Sequence, residues 1–196
     1  MGCGSIASVI LLGSCGGSFT PPAAVVGGRT ISQATLSEAV REFLTEPTTA
    51  QQVAAGGATA RGDFTRRVLR YLIEVDLARG YADTHGIRVT ANEVQSGLSQ
   101  AEQQQGGPRA FRKFLAGRGL TVQEVETNVE RVLLLTKVSR SLAPGATSSQ
   151  AAQGAFEQWL RQRVHAVDVR VNPRFGTFDP RSTDIVPIDT TALLPG

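Results

Sequence analysis

Apolar residues recur three and four positions apart over most of the chain, and that spacing predicts a helical body. Leu36, Val40, Phe43 and Leu44 fall on one stripe of a helix over about residues 36–44. Phe64, Val68, Leu69, Leu72, Ile73 and Leu77 mark the longest and most apolar helix, the core spine, with Asp63 as its cap and Gly86, after His85, as its C-terminal glycine. A third helix carries Val94, Leu98 and Ala101 and frays into "EQQQGGP". Pro108 opens a brief helix with Phe111, Phe114 and Leu115, closed by Gly117 and Gly119. Val125, Val129, Val132, Leu133 and Thr136 follow at helical spacing to about Leu142. "APGATSSQ" reads as a linker, and a last helix from about Ala151 to Arg163 presents Phe156, Trp159 and Leu160.

Three Thr-x-x-Glu boxes stand before apolar runs: Thr35 with Glu38, Thr90 with Glu93, and Thr121 with Glu124. In each, the hydroxyl can accept from an orphan backbone amide while the carboxylate reaches back, so each is expected to start a helix. After the last helix the period changes to two. Val167, Val169 and Val171 alternate with Asp168 and Arg170, the pattern of a half-buried strand, which ends at "NPRFG". The other β-like stretch is "AAVVGGRTIS" at residues 23–32, in which Gly27-Gly28 reads as a turn. The two ends of the chain are therefore expected to pair across the helical body. A further strand near Ile185 to Ile188 would be the feature able to change that expectation.

The N-terminus has a different character. Ile6 to Leu12 is apolar but too short to span a bilayer. It has the length of a secretory h-region, and Leu12-Gly13-Ser14-Cys15 resembles a bacterial lipobox, in which the cysteine is lipidated and becomes the new N-terminus. No Lys or Arg precedes the run, and the first charged residue is Arg29. A Gly/Ser-rich tail with an incidental cysteine is the competing reading. If Cys15 is lipidated, Cys3 leaves with the signal and no free thiol remains, which suits an extracytoplasmic compartment. "GGSFTPPAAVV" has the composition of a tether. The expected organisation is a signal at residues 1–15, a tether at 16–24, one folded domain at 25–180 and a tail at 181–196.

Charge narrows the function. The 20 basic and 17 acidic residues nearly balance, and Lys occurs only at positions 113 and 137. The arginines are scattered among acids, without the single-sign stripe that nucleic acid requires. A helix-turn-helix at "FLAGRGLTVQEVETNVERV" fails because its second helix is acidic and would repel phosphates. His85 and His165 lie in no metal-ligand spacing, no Gly-x-Ser-x-Gly elbow occurs, and no cofactor motif is present. The sequence thus nominates no catalytic and no metal residue. Phe111, Phe114, Leu115 and Trp159 are the candidates for binding: on short helices near Gly-rich turns they either line a groove for apolar peptide segments or fill the core.

The order of elements resembles the core domain of the SurA and PrsA group of extracytoplasmic chaperones, whose hairpins are also similar to the arms of trigger factor. "GGRTISQATLSEAV" resembles the strand that opens into that group's first helix. "VLRYLIEVDLARGYADTHGIRVTANEV" is similar to its run of helix, small-residue turn and short link into the next helix. "FRKFLAGRGLTVQEVETNVERVLLLTKV" continues with a short helix, a "GLT" and a long return helix, and "VDVRVNPRFGTFD" resembles the tail of lipoproteins of this group. The resemblance covers about residues 24–180. It implies a mainly α fold, a SurA-like, trigger-factor-like helical body with a small two-stranded sheet joining the chain ends.

Members with isomerase activity carry a parvulin domain between the long return helix and the last helix, where this chain has only "APGATSSQ". The resemblance therefore implies a membrane-anchored chaperone that binds unfolded or partly folded exported polypeptides without prolyl isomerisation. The alternative is an envelope assembly protein that recognises one folded partner, in the form of a homodimer with exchanged terminal strands.

Overall fold

The computed structural model describes residues 20–188. Two short strands, β1 (Ala24–Val26) and β2 (Arg29–Ile31), lead into α1 (Gln33–Phe43), α2 (Pro47–Ala55), α3 (Gly57–His85), α4 (Ala91–Gln104), α5 (Pro108–Ala116), α6 (Val122–Leu142) and α7 (Ser149–Ala166). Three strands follow, β3 (Val169–Val171), β4 (Thr177–Asp179) and β5 (Asp184–Val186). The chain is mainly helical, as its periodicity requires.

The ends pair as expected. β1 lies antiparallel to β3 with Ala24 opposite Val171 and Val26 opposite Val169. Its other edge is taken by β2, with Ala24 opposite Ile31, so the sheet has three strands in the order β2-β1-β3 and not two. Strand β2 joins because the Gly27-Gly28 turn returns the chain directly alongside β1 and so satisfies that edge's backbone groups. The strand suspected near Ile185 exists as β5, but its partner is β4 in a separate hairpin, which leaves the pairing of the ends intact. That hairpin spans the junction of residues 180 and 181, where the tail was expected to begin. Pro21 and Pro22, inside the expected tether, are already fixed to the body: their carbonyls accept from Gln33 Nε2 at 2.7 Å and Asn172 Nδ2 at 3.0 Å.

Helix starts follow cap chemistry, with instructive exceptions. Thr90 with Glu93 and Thr121 with Glu124 form complete capping boxes. Thr35 does not cap: Ser32 does, three residues earlier, accepting from the Thr35 amide at 3.0 Å, so α1 begins before the expected box. Two cap-like residues three apart compete, and the one that follows directly on β2 prevails. Asp63 is no cap either. It lies inside α3, which starts at Gly57, and its carboxylate pairs with Arg66. Helix α2 was not anticipated, although Glu46-Pro47 carries its signal: Glu46 accepts from the amides of Thr48 and Thr49, and Pro47 occupies the first turn. Helix α3 ends at Gly86 in the left-handed conformation, as expected.

Three apolar clusters result. The main one gathers Ala24, Val26 and Ile31 from the sheet, Leu36 from α1, and Leu69, Ile73 and Leu77 from α3, with Leu160 and Val164 from α7. Leu69, Ile73 and Leu77 are fully buried, each contributing about 1.5–3 kcal/mol of transfer free energy. A second cluster joins the far half of α3 (Val75, Ala78, Ala82) to Leu134 and Val138 of α6 and Phe156 of α7. The third is separate: Leu98 of α4 with Phe111 and Leu115 of α5, against Leu120, Val122 and Val125.

One polar contact locks the sheet to the spine. Asp76, buried on α3, accepts from Arg29 Nε at 3.0 Å through both carboxylate oxygens, while Arg29 Nη2 donates to the Asp76 carbonyl at 2.6 Å. Gly80, one turn on, makes room for it, since a Cβ there would come within 2.8 Å of the guanidinium.

Candidate functional site: an apolar groove at the α4–α6 tip

The third cluster does not close on itself. Helix α4 stops at Gly106-Gly107, both at positive φ, and the Gly107 amide bonds the Glu102 carbonyl at 2.8 Å. This tight reversal needs residues without a Cβ and folds α5 back along α4. Pro108 then starts α5 at once, which places Phe111 and Leu115 against Leu98. On the side facing α1 a groove of about 290 Å³ remains. Phe43, Phe111, Phe114, Leu115, Leu120 and Val125 make its apolar lining; Glu42, Glu46, Gln104, Gln105 and Asn128 make its polar one.

Phe111, Phe114 and Leu115, three of the four candidates from the sequence, thus come together in one groove. Phe111 and Leu115 are buried and form its floor, whereas Phe114 is half-buried under the Arg118 guanidinium, 3.8 Å from the ring centroid. Trp159 lies apart. It packs between the main and second clusters, edge-on to Tyr81 with centroids 5.4 Å apart and tilted against Phe156 at 5.5 Å. Its surroundings are those of a core residue. Phe43, Glu42, Glu46, Leu120 and Val125 were not nominated from sequence. Phe43 stood on an apolar helix stripe and gave no other signal, because the groove forms only where α1 meets the distant α4–α6 tip.

Polar bridges span from the end of α1 to the tip. Arg41 pairs with Glu124, Glu42 lies 3.7 Å from Arg131, and Arg118 Nε donates to the Thr45 carbonyl at 3.2 Å. Glu42 is the unusual member: burial raises its pKa to about 7, against the partial offset of Arg131 and with a further rise from the nearby Glu124 carboxylate. Glu124 itself is held low by the Thr121 amide and by Arg41. Glu46 is held at about 2 by the amides of Thr49 and Thr48.

A larger cavity, about 630 Å³, lies between the end of α6, the α6–α7 connection and the start of α7. Its lining is mixed, with Tyr71, Val132, Leu135 and Pro144 beside Ser139, Arg140, Thr147 and Ser148, so it carries a larger share of polar groups than the phenylalanine groove. Among the described residues no group of three or more His, Cys, Asp or Glu side chains could hold a metal ion. His85 stacks on Tyr81 with centroids 3.8 Å apart at the end of α3. No helix among the described residues is long and apolar enough to cross a membrane. Cys15 lies outside the described residues.

Residues 4–139 match the family model described as the SurA-like N-terminal domain, and the chain belongs to that chaperone-type family. The match ends within α6, so α7 and β3, which complete the clusters and the sheet, lie beyond it. No curated protein and no solved structure matches the chain.

Proposed function

We propose that the protein is a lipid-anchored, extracytoplasmic holdase that binds apolar and aromatic segments of unfolded or partly folded exported polypeptides in the groove at the α4–α6 tip. The observation that carries this reading is the groove itself, in a chaperone-type domain: an apolar floor of buried Phe111 and Leu115, with half-buried Phe114, Leu120 and Val125 and exposed Phe43 around it. A concave apolar surface with a few polar groups at its edge is the kind of site that takes up an apolar side chain of a ligand. By sheltering such segments the protein lowers the free concentration of aggregation-prone chains. The lipid is carried on Cys15, with the residues up to Thr20 as tether and membrane contact made through the lipid.

The protein is not an isomerase in this reading. Residues 143–148 are all that separates α6 from α7, the interval in which the resemblance to the SurA and PrsA group would place a parvulin domain in an isomerase member. Release rests on weak, fast exchange.

The test is suppression of light scattering by a diluted, denatured client. Wild-type protein should delay aggregation of several unrelated clients. Phe114→Glu, at a half-buried position, should weaken that protection by about tenfold or more, the effect of losing much of one aromatic burial. Protection of a single client only would support instead a dedicated assembly factor for one partner.

A further inference from the structure

This inference rests on the groove being a peptide site and concerns which segments it selects. We propose that the groove prefers apolar segments that carry a basic residue, and that Glu46 and Glu42 set this preference. The charges around the groove are segregated. Both carboxylates line it, and no Lys or Arg does among the described residues. The neighbouring cations already have partners. Arg118 and Arg41 line an adjoining depression that shares Thr45 with the groove, the first bonded to the Thr45 carbonyl with its guanidinium stacked over the Phe114 ring and the second paired with Glu124. Arg131 is directed to Glu42.

Glu46 makes no ion pair among the described residues. Its oxygens each accept one backbone amide, from Thr48 at 3.0 Å and Thr49 at 2.6 Å, which keeps it ionised and leaves lone pairs for an incoming ammonium or guanidinium. Glu42 lies deeper, 13% exposed, with Arg131 and Glu124 of α6 and Tyr71 of α3 around it. A cation entering the groove gives this carboxylate a second positive neighbour and favours its charged form. The side-chain amides of Gln104, Gln105 and Asn128 make no hydrogen bond among the described residues, and they can meet the backbone of an extended segment. The apolar floor takes an aromatic or aliphatic side chain, the amides take the backbone, and the carboxylates take a basic neighbour while opposing an acidic one.

The experiment is fluorescence anisotropy of the full chain with two dye-labelled octapeptides of identical Phe and Leu content, one with two central Lys residues and one with Gln in their place. The Lys peptide should bind about fivefold more tightly at low salt, the range of a solvent-exposed ion pair, and the difference should shrink in 0.5 M salt. Glu46→Gln, whose amide oxygen can still cap α2, should remove most of the preference, and Glu42→Gln part of it. Equal binding of the two peptides by the wild type overturns this inference and leaves the groove reading standing. A preference that survives both substitutions overturns the assignment to these carboxylates. Failure of both peptides to bind, or binding of both untouched by Phe114→Glu, overturns the groove reading and this inference with it.

Discussion

Replacing Arg29 with Ala should unlatch the N-terminal sheet from the spine helix. The substitution removes three contacts to one residue, two from Nε to the Asp76 carboxylate at 3.0 Å and one from Nη2 to the Asp76 carbonyl at 2.6 Å. Charge-assisted hydrogen bonds contribute about 1.5–3 kcal/mol each when fully buried. The Arg29 side chain is 44% exposed, so water screens the pair and the sum must be cut. The Asp76 side chain, at 11%, is largely covered by its surroundings, and the carboxylate left without its partner makes up most of the penalty. We expect a loss of about 2–3 kcal/mol, or a Tm lowered by roughly 4–12 °C for a body of this size. Urea denaturation followed by circular dichroism at 222 nm reads it. The double variant Arg29→Met with Asp76→Leu should recover most of the loss, because it leaves no unpaired charge. A loss below about 0.5 kcal/mol for Arg29→Ala, or no recovery in the double variant, would refute the reasoning that this pair holds the sheet to α3.

Glu42 makes stability depend on pH in an uncommon direction. Its folded pKa of about 7 lies above the unfolded value near 4.5, so its favourable contribution is complete below pH 4.5 and is lost as pH rises through 7. The wild type should therefore lose up to about 3 kcal/mol between pH 4.5 and 8 from this group, and Glu42→Gln should flatten the profile in denaturation at successive pH values. Deleting everything after Val164 removes β3 from β1, and amides of residues 24–26 should then lose hydrogen-exchange protection; protection that persists would mean the sheet does not depend on the C-terminal strand. Cys15→Ser should move the protein from the membrane to the soluble fraction and block processing, and unchanged fractionation would remove the lipid anchor from the proposal.

The helical body was legible because its signals are local. Apolar spacing located α1 and α3 to α7, and the Thr90 and Thr121 boxes placed two starts to the residue. Where local signals competed, sequence alone could not rank them: Ser32 and Thr35 are both competent caps, and Asp63 precedes an apolar run yet sits inside a helix. Helix α2 escaped because its sequence, "PTTAQQVAA", buries only Val53 and carries little apolar period. The pairing of the chain ends could be anticipated, since a strand must find a partner, but the capture of β2 and the separate β4–β5 hairpin depend on turns acting at short range. The groove was half legible. Phe111, Phe114 and Leu115 lie within one turn or so of each other on a short helix, whereas Phe43 and Glu42 reach them only through the folded chain. Trp159 had the same aromatic character but lies half-buried against the main and second clusters, because its face of α7, shared with Phe156, packs on Tyr81 of α3.

The central claim is that unfolded polypeptide occupies the groove at the α4–α6 tip. Photo-crosslinking reads it directly, with a benzoyl-phenylalanine at position 43, on the groove and 37% exposed, and a control probe at position 132, in the larger cavity and 51% exposed. On irradiation with a denatured client the probe at position 43 should form an adduct that excess unlabelled denatured chain competes away, with little adduct from position 132 and none with the folded client. Equal labelling from the two positions, or labelling of folded and denatured client alike, would contradict the account.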